Sequence, residues 1–231
     1  MNRRMTQDLA HKRPYLLASL IAGISFPATW LFLPLEGGLI ALVWKMAGVG
    51  LLVPFALHRH HVGEFVPLAI ILAFYALGDG LIEFSMVAGA LAFAVGHLVA
   101  IWLYFRHRRV AATFSQKLLA IAIFLLTPVI AYGLPPTTDE AVQVAAYSVI
   151  LAAMAAMAWS SNFPRYRVGL GAVLFVISDL LIFAELGPLA NSKVSGIAIW
   201  YLYYFGVLMI AVGVAQTLVK RGHYPEGEER D

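Results

Sequence analysis

Two aspartates stand where an aspartate is costly. Asp79 sits in "FYALGDGLIEF" (residues 74–84) and Asp179 in "FVISDLLIF" (175–183), each inside an otherwise apolar run. Hydrocarbon penalises a carboxylate by about 2.5–3.5 kcal/mol even on lenient insertion scales, so such residues face a bundle interior and mark functional sites. Two carboxyls sharing a low-dielectric site do not both ionise readily, which leaves a neutral acid beside an ionised base. That pair can hydrolyse a bond, one group donating a proton while the other activates water. Two further polar residues lie within apolar runs. Lys45 could pair with a carboxylate or attract a phosphate, and His97 could relay a proton or orient a carboxylate. The same groups have other uses. Midplane carboxylates serve proton-coupled transporters, and intramembrane Asp–Lys pairs hold helices together.

The elements that carry these residues are membrane spans. Of 231 residues, 61% are hydrophobic and 13% charged, with a mean hydropathy of +0.81. A soluble domain carries about 25% charged residues, and this chain has more apolar surface than a soluble fold can bury. Cysteine is absent, which excludes disulfides and thiolate metal sites. The net charge of +3 is small and gives no footprint for nucleic acid. A basic N-terminus precedes a long apolar run without a small-x-small cleavage site, so the run reads as a retained first helix.

The apolar pattern predicts an all-α polytopic fold of eight transmembrane helices, over 15–35, 38–57, 64–84, 86–105, 117–134, 141–159, 167–186 and 196–219. They form a single transmembrane domain over 1–231, with residues 1–14 and 220–231 as cytoplasmic ends and the acidic tail "PEGEERD" read as disordered. Of the 16 basic residues, Lys45 falls within a span and Lys193 on one side; the other 14 fall on the opposite side, which predicts cytoplasmic termini. On this topology, at 1.5 Å per residue, Asp79 lies about 22 Å above the cytoplasmic edge, Asp179 about 20 Å, Lys45 about 18 Å and His97 about 14 Å. One slab of the bilayer therefore holds all four, as a shared cavity requires. Glu83, one turn beyond Asp79, and Glu185 are expected at the outer rim, and "WYLYYF" (200–205) reads as an interfacial aromatic belt. The "HRHH" loop, with His58, His60 and His61, has no carboxylate partner at fixed spacing, so no metal site is expected.

"YALGDGLI" (75–82) and "FVISDLLI" (175–182) share aromatic-x-x-small-Asp-x-Leu-Ile and lie four spans apart, which suggests a four-plus-four parallel repeat that would bring the aspartates together. "ALGDG" is also similar to the Gly-x-Gly-Asp of intramembrane aspartyl proteases, but Ala76 replaces the first glycine and no Tyr-Asp partner motif exists.

Several of these residues carry a wider resemblance. Lys45 in "LVWKMAGVGLLVP", Gly78-Asp79, Gly96-His97 in "AFAVGHLVAIWLYF", "GAVLFVISD" (171–179) with Ser178-Asp179, and Ala215-Gln216 in "VGVAQTLV" occur in an order and on helices that resemble the YhhN family, which includes the lysoplasmalogenases. The chain differs in having "AVGV" before Ala215-Gln216, where tyrosines are usual, and Met46 after Lys45, where proline is common. The resemblance implies a membrane-embedded ether hydrolase that cleaves the vinyl ether of a lysoplasmalogen with no cofactor. Asp79 and Asp179 would be its catalytic pair, with Lys45, His97, Ser178 and Gln216 in substrate-binding or supporting roles. The expected partners are a lysophospholipid substrate and membrane lipids, without nucleic acid or an obligate protein partner. The expected location is the inner membrane of a bacterial cell. A proton-coupled transporter of a lipid or small molecule is the alternative for the same carboxylates.

Overall fold

A computed structural model describes residues 3–32, 38–57, 62–111, 113–190, 192 and 194–223. Among them the secondary structure is helical, with one isolated β-bridge between Arg108 and Ser161. The helices are α1 (Arg3–Ser25), α2 (Ala28–Leu31), α3 (Leu39–Gly50), α4 (Leu52–Leu57), α5 (Val62–Leu81), α6 (Met86–Arg106), α7 (Phe114–Tyr132), α8 (Thr138–Ser160), α9 (Leu170–Glu185) and α10 (Ser195–His223), with a π-helical turn, Arg165–Gly169, leading into α9. In hydrocarbon every backbone amide must be satisfied within the segment, and a helix does this for a long apolar run.

Prolines and caps set the interruptions. Pro54 has no N–H and its ring clashes with the carbonyl four residues back, that of Gly50, where α3 ends; Leu51 forms the turn before α4. Thr113 and Gln116 form a capping box at the start of α7. Thr137 caps α8, and Asp139 and Glu140 in its first turn complement the helix dipole.

Among the described residues seven segments are long and apolar enough to cross a membrane: Pro14–Leu31, Leu39–Leu57, Met86–Arg106, Phe114–Tyr132, Thr138–Ser160, Arg165–Glu185 and Ser195–Arg221. The remaining segment of the expected eight, 64–84, is shorter. It falls on α5, a helix of 20 residues whose apolar part is Phe65–Leu81. Large apolar side chains face outward, including Leu39, Leu91 and Val129. Only 17% of the apolar window of α7 is buried, so most of that helix is left for lipid. This is the organisation of a polytopic integral membrane protein. The HRHH loop, Lys193 and the acidic tail lie outside the described residues.

The chain divides into two compact units, Met1–Gly96 and His97–Asp231, with the boundary inside α6. In the first unit α1 packs on α3 and α4, and both of these pack on α5. Ser19 Oγ donates to the Gly48 carbonyl at 2.6 Å, and Trp44 Nε1 donates to the Ala22 carbonyl at 3.2 Å, so the α1–α3 seam is held by side-chain-to-backbone bonds. In the second unit α8 packs on α7 and α9, and α9 on α10. Ala131, Val144 and Phe183 form a small core from α7, α8 and α9, with Tyr147, Leu180 and Leu186 against it.

The α9–α10 seam brings two backbones into close contact. A Cβ on Gly171 would lie 2.6 Å from the Gly206 carbonyl oxygen, and one on Gly206 would lie 2.7 Å from that of Gly171. Small residues permit such backbone contact between membrane helices. Backbone cannot yield as a side-chain tip can, so Gly171→Ala is expected to destabilise the protein by about 1–3 kcal/mol. Gly63→Ala on α5, with nothing within 4 Å of the added methyl, is expected to leave the melting temperature undiminished. Thermal unfolding in one detergent compares the two.

Candidate functional site

In the second unit the polar centre is built on one face of α9. Phe175, Asp179 and Phe183 recur every four residues and so lie above one another. Asp179 is buried, and its Oδ2 accepts a hydrogen bond from the Tyr147 hydroxyl of α8 at 2.8 Å. The same hydroxyl lies 3.1 Å from Nε2 of His97 on α6. His97 is fully buried, and the Phe175 ring stands edge-on to it at 5.0 Å between centroids. Phe183 makes the equivalent contact with the Tyr147 ring at 6.0 Å. The two phenylalanines, one turn on either side of Asp179, thus hold the rings that reach its carboxylate. Aromatic edge-to-face pairs of this kind contribute about 0.5–1.5 kcal/mol beyond burial.

Ser178 is turned to α10, where its hydroxyl donates to the Ile199 carbonyl at 2.9 Å. It fixes the helix that carries Asp179. Gln216 accepts from Arg167 at the basic end of α10 and is exposed. It lies 17 residues beyond Ile199, about 25 Å along the helix axis, which separates it from the Asp179 centre.

In the first unit Asp79 is buried on α5. Its flanking glycines allow close packing. A Cβ on Gly78 would lie 2.8 Å from the Phe93 ring of α6, and one on Gly80 would lie 2.6 Å from Met46 Sδ of α3. Tyr75, Asp79 and Glu83 form the corresponding four-residue ladder. Tyr75 is fully buried against Phe93, while Glu83 is exposed, as its rim position predicts. Lys45 pairs with this rim carboxylate. Its Nζ is 2.5 Å from Glu83 Oε1, with the two side chains 14% and 44% exposed. An apolar groove of about 670 Å³ runs between α1 and α3, lined by Ala18, Ile21, Ala22, Leu39, Val43 and Trp44 among others.

Each unit therefore buries one aspartate, and that of the second unit is hydrogen-bonded to Tyr147. Such carboxyls can exchange protons with a bound substrate or with water. Among the described residues no three His, Asp or Glu side chains converge as a metal site. Tyr147 was outside the set picked by charge. Its signal was depth: twelve residues from the end of the 141–159 span, it lies about 18 Å above the cytoplasmic edge by the same measure that groups Lys45, Asp79 and Asp179.

Because Glu83 retains contact with water, its pair with Lys45 contributes little to folding. A double-mutant cycle with Lys45→Met and Glu83→Gln is expected to give a coupling of at most about 1 kcal/mol in thermal unfolding. Valine at Gly78 or Gly80 meets Phe93 or Met46 and is expected to lower stability by about 1–3 kcal/mol, read in the same melts.

A family model for the YhhN family matches residues 40–214. No curated protein and no solved structure matches the chain.

Proposed function

Since the chain belongs to the YhhN family, we propose that it is a membrane-embedded hydrolase acting on the vinyl ether bond of lysoplasmalogens. The products are a fatty aldehyde and a glycerophospho-alcohol such as glycerophosphoethanolamine. The observation that carries the reading is the pair of buried aspartates in apolar segments, one of them held by a tyrosine–histidine pair.

The chemistry needs an acid, a base and water. A carboxylic acid delivers a proton to the alkenyl carbon one removed from the ether oxygen, leaving an oxocarbenium ion. Water adds to the carbon that bears the oxygen, and a carboxylate takes the proton that water loses. The hemiacetal then collapses as its hydroxyl proton leaves and the glycerol oxygen gains one. The sum is one alkenyl ether and one water giving one aldehyde and one alcohol. Asp79 and Asp179 share the acid and base roles. Lys45 is the candidate contact for the lipid phosphate, exchanging its Glu83 partner for the headgroup. The alkenyl chain remains among the apolar helices, for which the α1–α3 groove offers a seat. No step calls for a cofactor.

Purified protein in mild detergent, given an alkenyl lysophospholipid, is expected to release fatty aldehyde. Asp79→Asn and Asp179→Asn, shown by melting to be folded, are each expected to lose at least about 10²-fold in kcat. Lys45→Met is expected to act chiefly on KM. Aldehyde from both folded Asn variants at the wild-type rate would remove the aspartates from the chemistry. A folded wild type that moves the lipid or a proton across a vesicle without product would favour the transporter.

A further inference from the structure

The geometry points to Tyr147 as the positioning residue of Asp179, with His97 fixing the direction of its hydroxyl, so that Asp179 serves as a base. This rests on the hydrolase reading for the roles of the aspartates, but the hydrogen-bond chain itself does not.

A phenol has one proton and can also accept. The Tyr147 hydroxyl lies 2.8 Å from Asp179 Oδ2, and with the carboxylate ionised its proton goes there. The 3.1 Å contact with His97 must then be made by the imidazole N–H, with Nε2 donating to the phenol oxygen. The chain runs His97 Nε2–H to Tyr147 Oη, and Tyr147 Oη–H to Asp179. Its terminus is a carboxylate oxygen held as an acceptor. A group held as an acceptor at the end of a chain of donors is built to receive a proton and not to deliver one. The opposite polarity has Asp179 protonated and donating to Tyr147, with Tyr147 donating to an unprotonated His97 Nε2. That arrangement would make Asp179 the acid.

The packing fixes the chain in place. Phe175 stands against the His97 ring and Phe183 against the Tyr147 ring, and both leave the same helical face as Asp179. Ser178 ties that helix to the Ile199 carbonyl. Neither Tyr147 nor His97 has to touch the substrate for this role; both act through the carboxylate.

Two measurements on the full-length protein in detergent test the inference. The first uses no substrate. In ¹⁵N NMR of histidine-labelled protein, the His97 signal is the one lost in His97→Gln. It is expected to show a proton on Nε2, and that N–H resonance is expected to move in Tyr147→Phe. A bare Nε2 at neutral pH overturns the polarity and with it the assignment of Asp179 as base. The second follows aldehyde release from an alkenyl lysophospholipid. Tyr147→Phe is expected to lower kcat by about 10²-fold and leave KM within about twofold. His97→Gln, which keeps an N–H donor, is expected to retain more activity than His97→Leu. Since His97 acts through Tyr147, adding His97→Leu to Tyr147→Phe should cost nothing further; losses that multiply overturn the chain. If folded wild type forms no aldehyde, the hydrolase reading fails and the base assignment falls with it, while the NMR result still decides the polarity of the chain.

Discussion

The hydrogen bond from Tyr147 to Asp179 is the constraint around which the second unit is arranged. A carboxyl group in hydrocarbon is tolerated only with a partner, and that partner comes from a neighbouring helix. α8 must therefore present Tyr147 at the level of Asp179, which fixes the register of α8 on α9. The requirement propagates outward. Phe175 and Phe183 hold the rings of His97 and Tyr147 from positions one turn either side of the aspartate. The bare backbones of Gly171 and Gly206 bring α10 close enough to α9 for Ser178 to reach the Ile199 carbonyl. An isolated polar contact would leave the carboxylate free to rotate. A contact embedded in aromatic edges and a backbone seam orients it.

Asp79 lies between two glycines whose missing side chains admit Phe93 and Met46. Its helix continues to Glu83 at the rim, where Lys45 is held by charge at 2.5 Å. A cation at the mouth of an apolar region, paired with a carboxylate that still reaches water, is easily transferred to a phosphate. The interior aspartate and the rim ion pair thus have separate duties in the proposed reaction, one toward the ether bond and the other toward the headgroup.

Much of this was legible in the sequence because hydropathy and spacing report on one helix at a time. The apolar runs locate the helical segments, and the excess of charge-free length identifies a membrane protein. The 64–84 segment was read as a span like the others; the helix there, α5, runs Val62–Leu81 and so ends three residues earlier, because a hydropathy window does not see a turn that follows a glycine-flanked aspartate. Residue type and depth singled out Asp79, Asp179, His97 and Lys45, and the rim placement of Glu83 followed from its distance along the helix. What the sequence hid was pairing between helices. Lys45 was matched to an aspartate or a phosphate, and the partner α5 presents to it is Glu83. Gln216 was grouped with the site through its motif, although α10 carries it about 25 Å away. Tyr147 escaped attention because a phenol carries no charge, though its depth alone would have placed it with the others.

The most direct test of the account is turnover of an alkenyl lysophospholipid by the wild-type protein in heavy water. Protonation on carbon puts a solvent hydrogen into the product at a position that ester or ordinary ether cleavage would not touch. The account predicts a fatty aldehyde carrying a single deuterium on the carbon next to the carbonyl. Intact lipid after incubation with folded protein, or aldehyde without that deuterium, would contradict it.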